Sequence, residues 1–216
     1  MSNNNQQGYL ALPSSENKQA VLVLHAWWGL NETLKAICER LAAAGYTAYA
    51  PDLYHGKIAK TIPEAEALGA ELESRGEEAI ADVNAAVDYL LQTSNQSDQK
   101  LVIIAFSLGA FFAVNQCSEF PEKVKGVVLF YGAGPEVSEN CQASFLGHFA
   151  ENDQYEPRKY IDALEESIKR AGCEVTFYSY SGVGHWFFEP DRKENYNESA
   201  ANLAWERTLE FLNKLS

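Results

Sequence analysis

Short apolar runs recur along the chain, and longer segments with helical spacing of apolar residues separate them. An apolar run without polar alternation is typical of a strand that is buried on both faces of a parallel sheet. Residues 20–25 and 100–105 predict strands of this kind, and further strands are predicted at residues 46–50, 124–130, 144–150 and 174–180. Residues 8–13 predict one additional strand at a sheet edge.

Helical periodicity follows the first of these strands, where Leu34, Ile37 and Leu41 share one face. Asn31 is suited to cap the beginning of this helix, and Gly45 is suited to end it. Three later helices are predicted from apolar residues with the same spacing: Ala79, Val83, Val87 and Leu90; Tyr160, Ile161, Leu164 and Ile168; and Ala201, Trp205, Thr208, Leu212 and Leu215. Residues 54–61 show no periodicity and predict a surface loop.

The alternation of strands and helices predicts an α/β fold with a mostly parallel sheet and helices on both faces. Because no repeat or long linker divides the sequence, residues 8–216 are expected to form one domain, after a disordered polar tail at residues 1–7. Ligands of such folds bind beyond the carboxyl ends of the strands. Functional residues should therefore lie in the loops that follow strands.

The composition is that of a globular protein, since 46% of the 216 residues are hydrophobic and 22% are charged. A net charge of −13, from 17 basic and 30 acidic residues, argues against a nucleic-acid partner. The four cysteines form no CxxC pair, which argues against a zinc or redox motif. No apolar run is long enough to span a membrane, and the polar beginning does not resemble a signal peptide. A cytoplasmic protein is expected.

Three of the predicted strands are followed by residues suited to nucleophilic catalysis. Ser107 lies in AFSLG (residues 105–109), a near match to the G-x-S-x-G turn in which a strand meets a helix. Asp153 and His185 follow two later strands. A Ser hydroxyl needs a base to take its proton, and a carboxylate fixes the tautomer of that base. Each piece is weak alone, but the order Ser, Asp, His after buried strands predicts Ser107 as nucleophile, Asp153 as orienting acid and His185 as base.

The oxyanion that forms in acyl transfer needs backbone donors. The N–H of Leu108 follows the nucleophile, and the N–H of Trp27 lies in the loop after the first parallel strand, where this fold supplies its second donor. Trp27 and Trp28 can also be core aromatics, because the predicted donor is main chain.

At these same residues the chain resembles the dienelactone hydrolase family over nearly its whole length. The matching segments are LHAWWG (24–29), AGYTAYAPDLY (44–54), SLG (107–109), Asp153 with Pro157, and Gly184-His185 followed by ERT (206–208). The resemblance implies a small α/β-hydrolase without a large cap domain and with neither metal nor organic cofactor.

Three positions depart from the pattern of the family's dienelactone-cleaving members. Those members resemble one another in a Cys nucleophile, where this chain has Ser107, and in a Glu that handles the Cys proton, where it has Ala26. The two changes agree, because a Ser activated by His and Asp has no thiolate to manage. Those members also hold the substrate carboxylate with arginines, one of which stands four residues after the His. Glu189 stands there in this chain, so uncharged esters are expected to be preferred to dienelactone.

An apolar, aromatic cleft is expected around the reacting groups. Besides Trp27, its predicted lining comprises Trp28, Tyr54, Phe106, Tyr131, Trp186, Phe187 and Glu189, which flank the chemical groups or end strands. The alternative for each aromatic side chain is packing in the core. His25, His55 and His148 are expected to have no catalytic task.

The sequence thus predicts a serine hydrolase that cleaves carboxylic esters or lactones of small apolar substrates. Thioesterase, acyltransferase and peptidase activities would use the same three side chains, although a peptidase usually needs a cap or propeller to choose peptides. A binding protein with the hydrolase fold is the non-enzymatic alternative. A small-molecule substrate, no nucleic-acid or membrane partner, and a monomer or weak homodimer are expected.

Overall fold

A computed structural model describes residues 8–14, 17–94 and 96–216. The expected tail at residues 1–7 lies outside the described residues. Within these ranges seven strands form one sheet: β1 (Gly8–Ala11), β2 (Ala20–Leu24), β3 (Thr47–Pro51), β4 (Leu101–Phe106), β5 (Val124–Phe130), β6 (Ser144–Ala150) and β7 (Val175–Tyr180). Their order is β1-β3-β2-β4-β5-β6-β7, and β1 pairs antiparallel with β3 at the edge while the other pairs are parallel. The predicted α/β class and the edge strand are confirmed.

The described residues also form six helices on the faces and at the rim of this sheet: α1 (Glu32–Ala43), α2 (Ile62–Ser74), α3 (Gly76–Ser94), α4 (Gly109–Glu119), α5 (Arg158–Arg170) and α6 (Glu198–Leu215). Helices α1 and α6 pack on one face, and α3, α4 and α5 pack on the other. None of the helices in the described part of the chain has the length and apolar character that crossing a bilayer requires.

The strand β2 explains why the central strands read as apolar runs. Val21 and Val23 point to the face covered by α1 and α6, whereas Leu22 and Leu24 point to the face covered by α3 and α4. All four side chains are fully buried. Because successive side chains of a strand alternate between faces, a sheet covered on both sides requires apolar residues at every position.

Local signals place α1 where the sequence predicts it. The Asn31 side chain accepts a hydrogen bond from the Leu34 N–H at 3.1 Å, which caps the first turn. After the helix, Gly45 adopts a φ of +96°, a conformation in which a Cβ would be strained. The chain then enters β3 directly.

Helix α2 is absent from the sequence prediction. The aperiodic loop ends at Thr61, whose side chain accepts from the Glu64 N–H while the Glu64 carboxylate accepts from the Thr61 N–H, a capping box. Only Ala65, Gly69 and Leu72 of this helix are buried. Two of these three residues have almost no side chain, so the helix shows little apolar periodicity.

Candidate active site

Ser107 occupies a strained turn between β4 and α4. Its φ of +47° lies in the left-handed region, which non-glycine residues rarely adopt, and its N–H donates to the Phe130 carbonyl at 2.9 Å. Two glycines allow neighbouring backbone to approach. A Cβ on Gly132 would lie 2.7 Å from Ser107 Cα, and a Cβ on Gly109 would lie 2.8 Å from the Leu24 carbonyl oxygen. The turn is thus held between β2, β4 and β5 with the hydroxyl beyond the end of the sheet.

The structure brings Ser107, His185 and Asp153 together from three separate loops. Ser107 Oγ lies 2.9 Å from His185 Nε2. His185 Nδ1 lies 2.8 Å and 2.9 Å from the two carboxylate oxygens of Asp153. A carboxylate can only accept, so Nδ1 carries the ring proton and Nε2 offers its lone pair to the Ser107 hydroxyl. The side chains of His185 and Asp153 are 3% and 4% exposed, which shields this pair from water.

The Asp153 carboxylate is fixed by its own loop. One of its oxygens accepts the backbone N–H groups of Tyr155 and Glu156, each at 2.9 Å. Together with the His185 ring, these donors hold the carboxylate in a single orientation. The loop after β6 therefore presents an anion to His185.

Trp27 and Leu108, the predicted oxyanion donors, lie on the wall of the same cavity as Ser107. The His25 ring fixes the loop that contains Trp27, since its Nδ1–H donates to the Ala26 carbonyl at 2.8 Å and its Nε2 accepts the Leu53 N–H at 3.2 Å. In a trans peptide the Ala26 carbonyl and the Trp27 N–H point in opposite directions, so fixing the carbonyl also fixes the N–H. Burial lowers the pKa of His25, which favours this neutral tautomer. His25 thus has a structural task.

A cavity of about 540 Å³ opens beside Ser107 and His185. Its walls are mostly apolar, as expected, and the main contributors are Trp27, Leu72, Leu108, Phe111, Phe112 and Trp186. Tyr155, Glu73 and Glu156 add polar groups to the lining. The cavity therefore offers an apolar surface that leads to the proposed nucleophile.

Five aromatic residues predicted in the cleft lie outside the cavity lining and are buried in the core: Trp28, Tyr54, Phe106, Tyr131 and Phe187. Phe106 illustrates the physical reason. It precedes Ser107 in β4, and because strand side chains alternate, it points to the α1 and α6 face and stacks on Phe130 at 4.7 Å between ring centroids. For these five side chains the packing alternative is correct. Of the predicted aromatic lining, Trp27 and Trp186 remain.

The expectation that Glu189 faces the substrate is also wrong. The residue is fully buried, and one of its oxygens accepts the Tyr131 O–H at 2.7 Å. The Glu189 N–H donates to the Trp186 carbonyl, so the chain turns inward after His185. Burial raises the pKa of Glu189 to about 8. The charge comparison with the arginine of dienelactone-cleaving enzymes therefore does not apply at this position.

Several lining residues were not found from the sequence. Tyr155 and Glu156 follow Asp153 in one loop, and Phe111 and Phe112 lie in the first helical turn after Ser107. Proximity to the predicted reacting groups was therefore the available signal. Glu73 and its neighbours on α2 had no such signal, because that helix was not predicted.

Acidic and His side chains with the spacing of a metal site occur once within the described ranges, at His55, Glu78 and Asp82. The Arg75 guanidinium lies 3.5 Å from Glu78 and 3.8 Å from Asp82. This guanidinium already balances the carboxylates, and the group contributes nothing to the cavity lining. It is best described as a surface ion-pair network.

Comparison with known proteins gives a consistent assignment. The model of the dienelactone hydrolase family matches residues 6–216. The protein usf of Aquifex pyrophilus is 31% identical over 213 residues, which is 95% of this chain and 91% of that protein. A protein of Aquifex aeolicus (strain VF5), provisionally named carboxymethylenebutenolidase, is 32% identical over 213 residues, again with 95% of this chain and 91% of that protein.

A solved structure described as a dienelactone hydrolase-like promiscuous phosphotriesterase from metagenomic libraries has a TM-score of 0.83. It is 18% identical in sequence and covers 94% of this chain and 88% of its own. That likeness shows the α/β-hydrolase fold. Since the family model spans nearly the entire sequence and the fold agrees with it, the chain belongs to the dienelactone hydrolase family.

Proposed function

We propose that the protein is a serine hydrolase that cleaves small carboxylic esters or lactones through an acyl-enzyme on Ser107. The observation that carries the proposal is the hydrogen-bonded series from Ser107 through His185 to Asp153 at the wall of an apolar cavity. This series supplies a nucleophile, a base and an anion that orients the base. Membership of a hydrolase family supports the same reaction class.

In the acylation step, Ser107 Oγ attacks the carbonyl carbon of the ester while its proton moves to His185 Nε2. The developing oxyanion accepts the N–H groups of Trp27 and Leu108, and Asp153 stabilises the imidazolium that forms on His185. When the tetrahedral intermediate collapses, the bond to the alcohol oxygen breaks and the His185 proton goes to that oxygen. The alcohol leaves, or stays tethered to the acyl group when the substrate is a lactone.

Deacylation repeats these steps with water as the nucleophile. His185 takes a proton from the water, the hydroxide adds to the acyl carbon, and the proton returns to Ser107 Oγ as the acid is released. Thioester cleavage, transfer to another acceptor and peptide cleavage need the same groups, so the leaving group and acceptor distinguish them. The apolar walls support a small apolar acyl or alcohol part, and we further propose a monomer or weak homodimer acting on a small molecule.

A fluorophosphonate probe tests the nucleophile directly, because only an activated Ser reacts with it. The wild-type protein should be labelled, and Ser107→Ala should not be. On p-nitrophenyl esters of increasing acyl length, Ser107→Ala should reduce kcat by on the order of 10⁴-fold or more. A lactone and an acyl-CoA measured beside the esters would identify the preferred leaving group.

The matched control is Ser199→Ala, which removes an exposed hydroxyl from α6. This variant should be labelled and should hydrolyse esters like the wild type. Retention of even a tenth of the activity by Ser107→Ala would exclude Ser107 as nucleophile. Absence of both labelling and turnover in the wild type would favour a binding protein with the hydrolase fold.

A further inference from the structure

Three aromatic rings form one continuous part of the cavity wall beside the reacting groups. The Tyr155 ring lies 4.7 Å from that of Trp186 and 5.9 Å from that of Trp27, between centroids, and it also contacts His185 at 5.3 Å. The face of such a ring carries partial negative charge and attracts cations. None of the cation–π pairs found in the described part of the chain uses these three rings.

Two carboxylates from different elements line the same cavity. Glu156 is half-buried, and one of its oxygens accepts the Ala133 N–H at 2.9 Å, which fixes the side chain on the wall. Glu73 is exposed, stands on α2 and is the second acid in the cavity lining. Burial raises the pKa of Glu156, and Asp153 raises it further. The surroundings of Glu156 therefore compensate the negative charge of its carboxylate only in part. An entering cation would supply the missing compensation.

Among the described residues that line the cavity, no Lys or Arg is present. The nearest cation in the sequence, Arg75, has its guanidinium directed elsewhere, since it donates to the Leu53 carbonyl and pairs with Glu78 and Asp82. The cavity therefore combines aromatic faces and two acids without a positively charged side chain. In this environment an anionic substrate is repelled and a cationic one is attracted.

We infer that the cavity accepts esters that carry an ammonium group, with the ester carbonyl at Ser107 and the ammonium against the rings of Trp27, Tyr155 and Trp186. Glu73 and Glu156 provide the compensating negative charge. Fixed quaternary ammonium groups and protonated amines share this recognition chemistry, because both combine a positive charge with an apolar surface. The inference rests on the proposed hydrolase function and names the substrate class for that site.

The test compares butyrate esters of three alcohols of similar size. Choline carries a fixed positive charge, 3,3-dimethylbutanol is its neutral carbon isostere, and 3-hydroxypropanoate is an anion. At pH 7.5 and low ionic strength, kcat/KM should be highest for the choline ester, lower by at least about fivefold for the isostere, and lowest for the anion. The quaternary ammonium has no titratable proton, so the comparison does not depend on the ionisation of the substrate.

Variants of Glu73 and Glu156 test whether these carboxylates cause the preference for the choline ester. Glu156→Gln keeps an oxygen that can accept the Ala133 N–H but loses the charge, and Glu73→Gln changes an exposed residue whose replacement leaves the core untouched. Each should lower the ratio of choline ester to neutral ester by about threefold. The control is Glu210→Gln, which removes a charge from exposed α6, outside the cavity, and should leave the ratio unchanged.

A binding measurement that needs no turnover separates this inference from the proposed function. Tetraethylammonium should change the tryptophan fluorescence of Ser107→Ala saturably, whereas 3,3-dimethylbutanol at the same concentration should not, because Trp27 and Trp186 form the subsite. Ser107-dependent hydrolysis without preference for the choline ester would overturn the inference and leave the hydrolase function intact. If the wild type hydrolyses no ester, the fluorescence titration alone decides the subsite, and an absent response overturns it.

Discussion

Glu189 is a fully buried carboxyl on which the nearby charges of Asp191 and Arg192 have opposing effects, and its contribution to stability should depend on pH. Burial raises its pKa to about 8, whereas the unfolded chain titrates near the ordinary value. Between these two pKa values the folded protein keeps a proton that the unfolded chain releases. The stabilisation of the folded state by Glu189 is therefore complete below about pH 4.5 and is lost as the pH rises through 8. Stability should therefore fall with rising pH on account of this residue.

Glu189→Gln tests this, because the amide oxygen can still accept the Tyr131 O–H but does not titrate. From pH 5 to pH 8, the wild type should lose free energy of unfolding relative to Glu189→Gln by on the order of 1 to 3 kcal/mol. Urea unfolding at pH 5, 6.5 and 8 measures the difference. Glu210→Gln should follow the wild type, and parallel pH curves for wild type and Glu189→Gln would contradict the prediction.

Gly132 allows the backbone of Ser107 to pass close by, and replacing it should disturb this proposed nucleophile. A Cβ at Gly132 would meet the Ser107 main chain, which cannot move like a flexible side chain. We expect Gly132→Ala to destabilise the fold by roughly 1–3 kcal/mol and to lower kcat at least about tenfold, because Ser107 shifts away from His185.

Gly172→Ala is the matched control for this change. Gly172 has a φ of +77°, but no atom lies within 4 Å of an added Cβ. The control should therefore lose about 1–2 kcal/mol through backbone strain and keep its kcat. Thermal unfolding and ester turnover of both variants provide the comparison. Equal turnover in the two variants would show that the close approach is not required for catalysis.

A buried hydrogen-bond network centred on His148 connects β6, β7 and α6. The Thr208 hydroxyl donates to the Ala204 carbonyl and therefore accepts from His148 Nε2–H at 3.0 Å. His148 Nδ1 then accepts the Tyr180 O–H at 2.8 Å, and Arg207 donates to the same oxygen at 3.2 Å. These donors and acceptors match when His148 is neutral, because a protonated ring has no lone pair to accept the Tyr180 O–H.

Burial, with a smaller contribution from the Arg207 charge, lowers the pKa of His148 to about 3. Below about pH 6.5 the unfolded chain binds a proton that the folded protein excludes, so stability should be lost as the pH falls towards 3. His148→Gln should be less stable at pH 7, and the gap to wild type should narrow by on the order of 3 kcal/mol at pH 4. Urea unfolding at the two pH values checks this, and a constant gap would refute it.

The molecule as a whole carries a net charge of −13, and self-repulsion should lower its stability at low salt. Most of the ion pairs among the described residues have at least one exposed side chain, and exposed pairs contribute little. Added salt should therefore stabilise the fold, because it weakens the net repulsion more than it weakens the ion pairs. We expect Tm to rise by about 2–4 °C between about 0.01 M and 0.15 M NaCl.

Differential scanning calorimetry at pH 7.5 measures this effect. KCl should act like NaCl, since screening depends on ionic strength and not on the identity of the cation. A Tm that falls with salt would mean that attractive pairs dominate the electrostatics of the fold. The same screening should weaken the preference for cationic over neutral esters, because that preference includes attraction by carboxylates.

The sequence by itself determined the strands of the sheet and indicated the three side chains, Ser107, Asp153 and His185, that the structure brings together. A strand buried on both faces, such as β2, has an apolar residue at every position and is therefore visible in the sequence. Side chains that follow the carboxyl ends of three parallel strands lie at the same edge of the sheet, so their proximity could be predicted. Helix α2 escaped prediction because its buried face is formed by Ala65, Gly69 and Leu72, and small residues leave little periodicity.

Only the tertiary structure decided which side chains line the cavity. Phe106 and Tyr131 adjoin the reacting groups in sequence yet pack in the core, and Glu189 is enclosed with Tyr131. Tyr155 and Glu156 line the cavity instead. Residues that adjoin Ser107 or His185 in the sequence have their backbone near the site. The direction of each side chain, however, depends on strand alternation, on the local turn and on the contacts that other elements make with it.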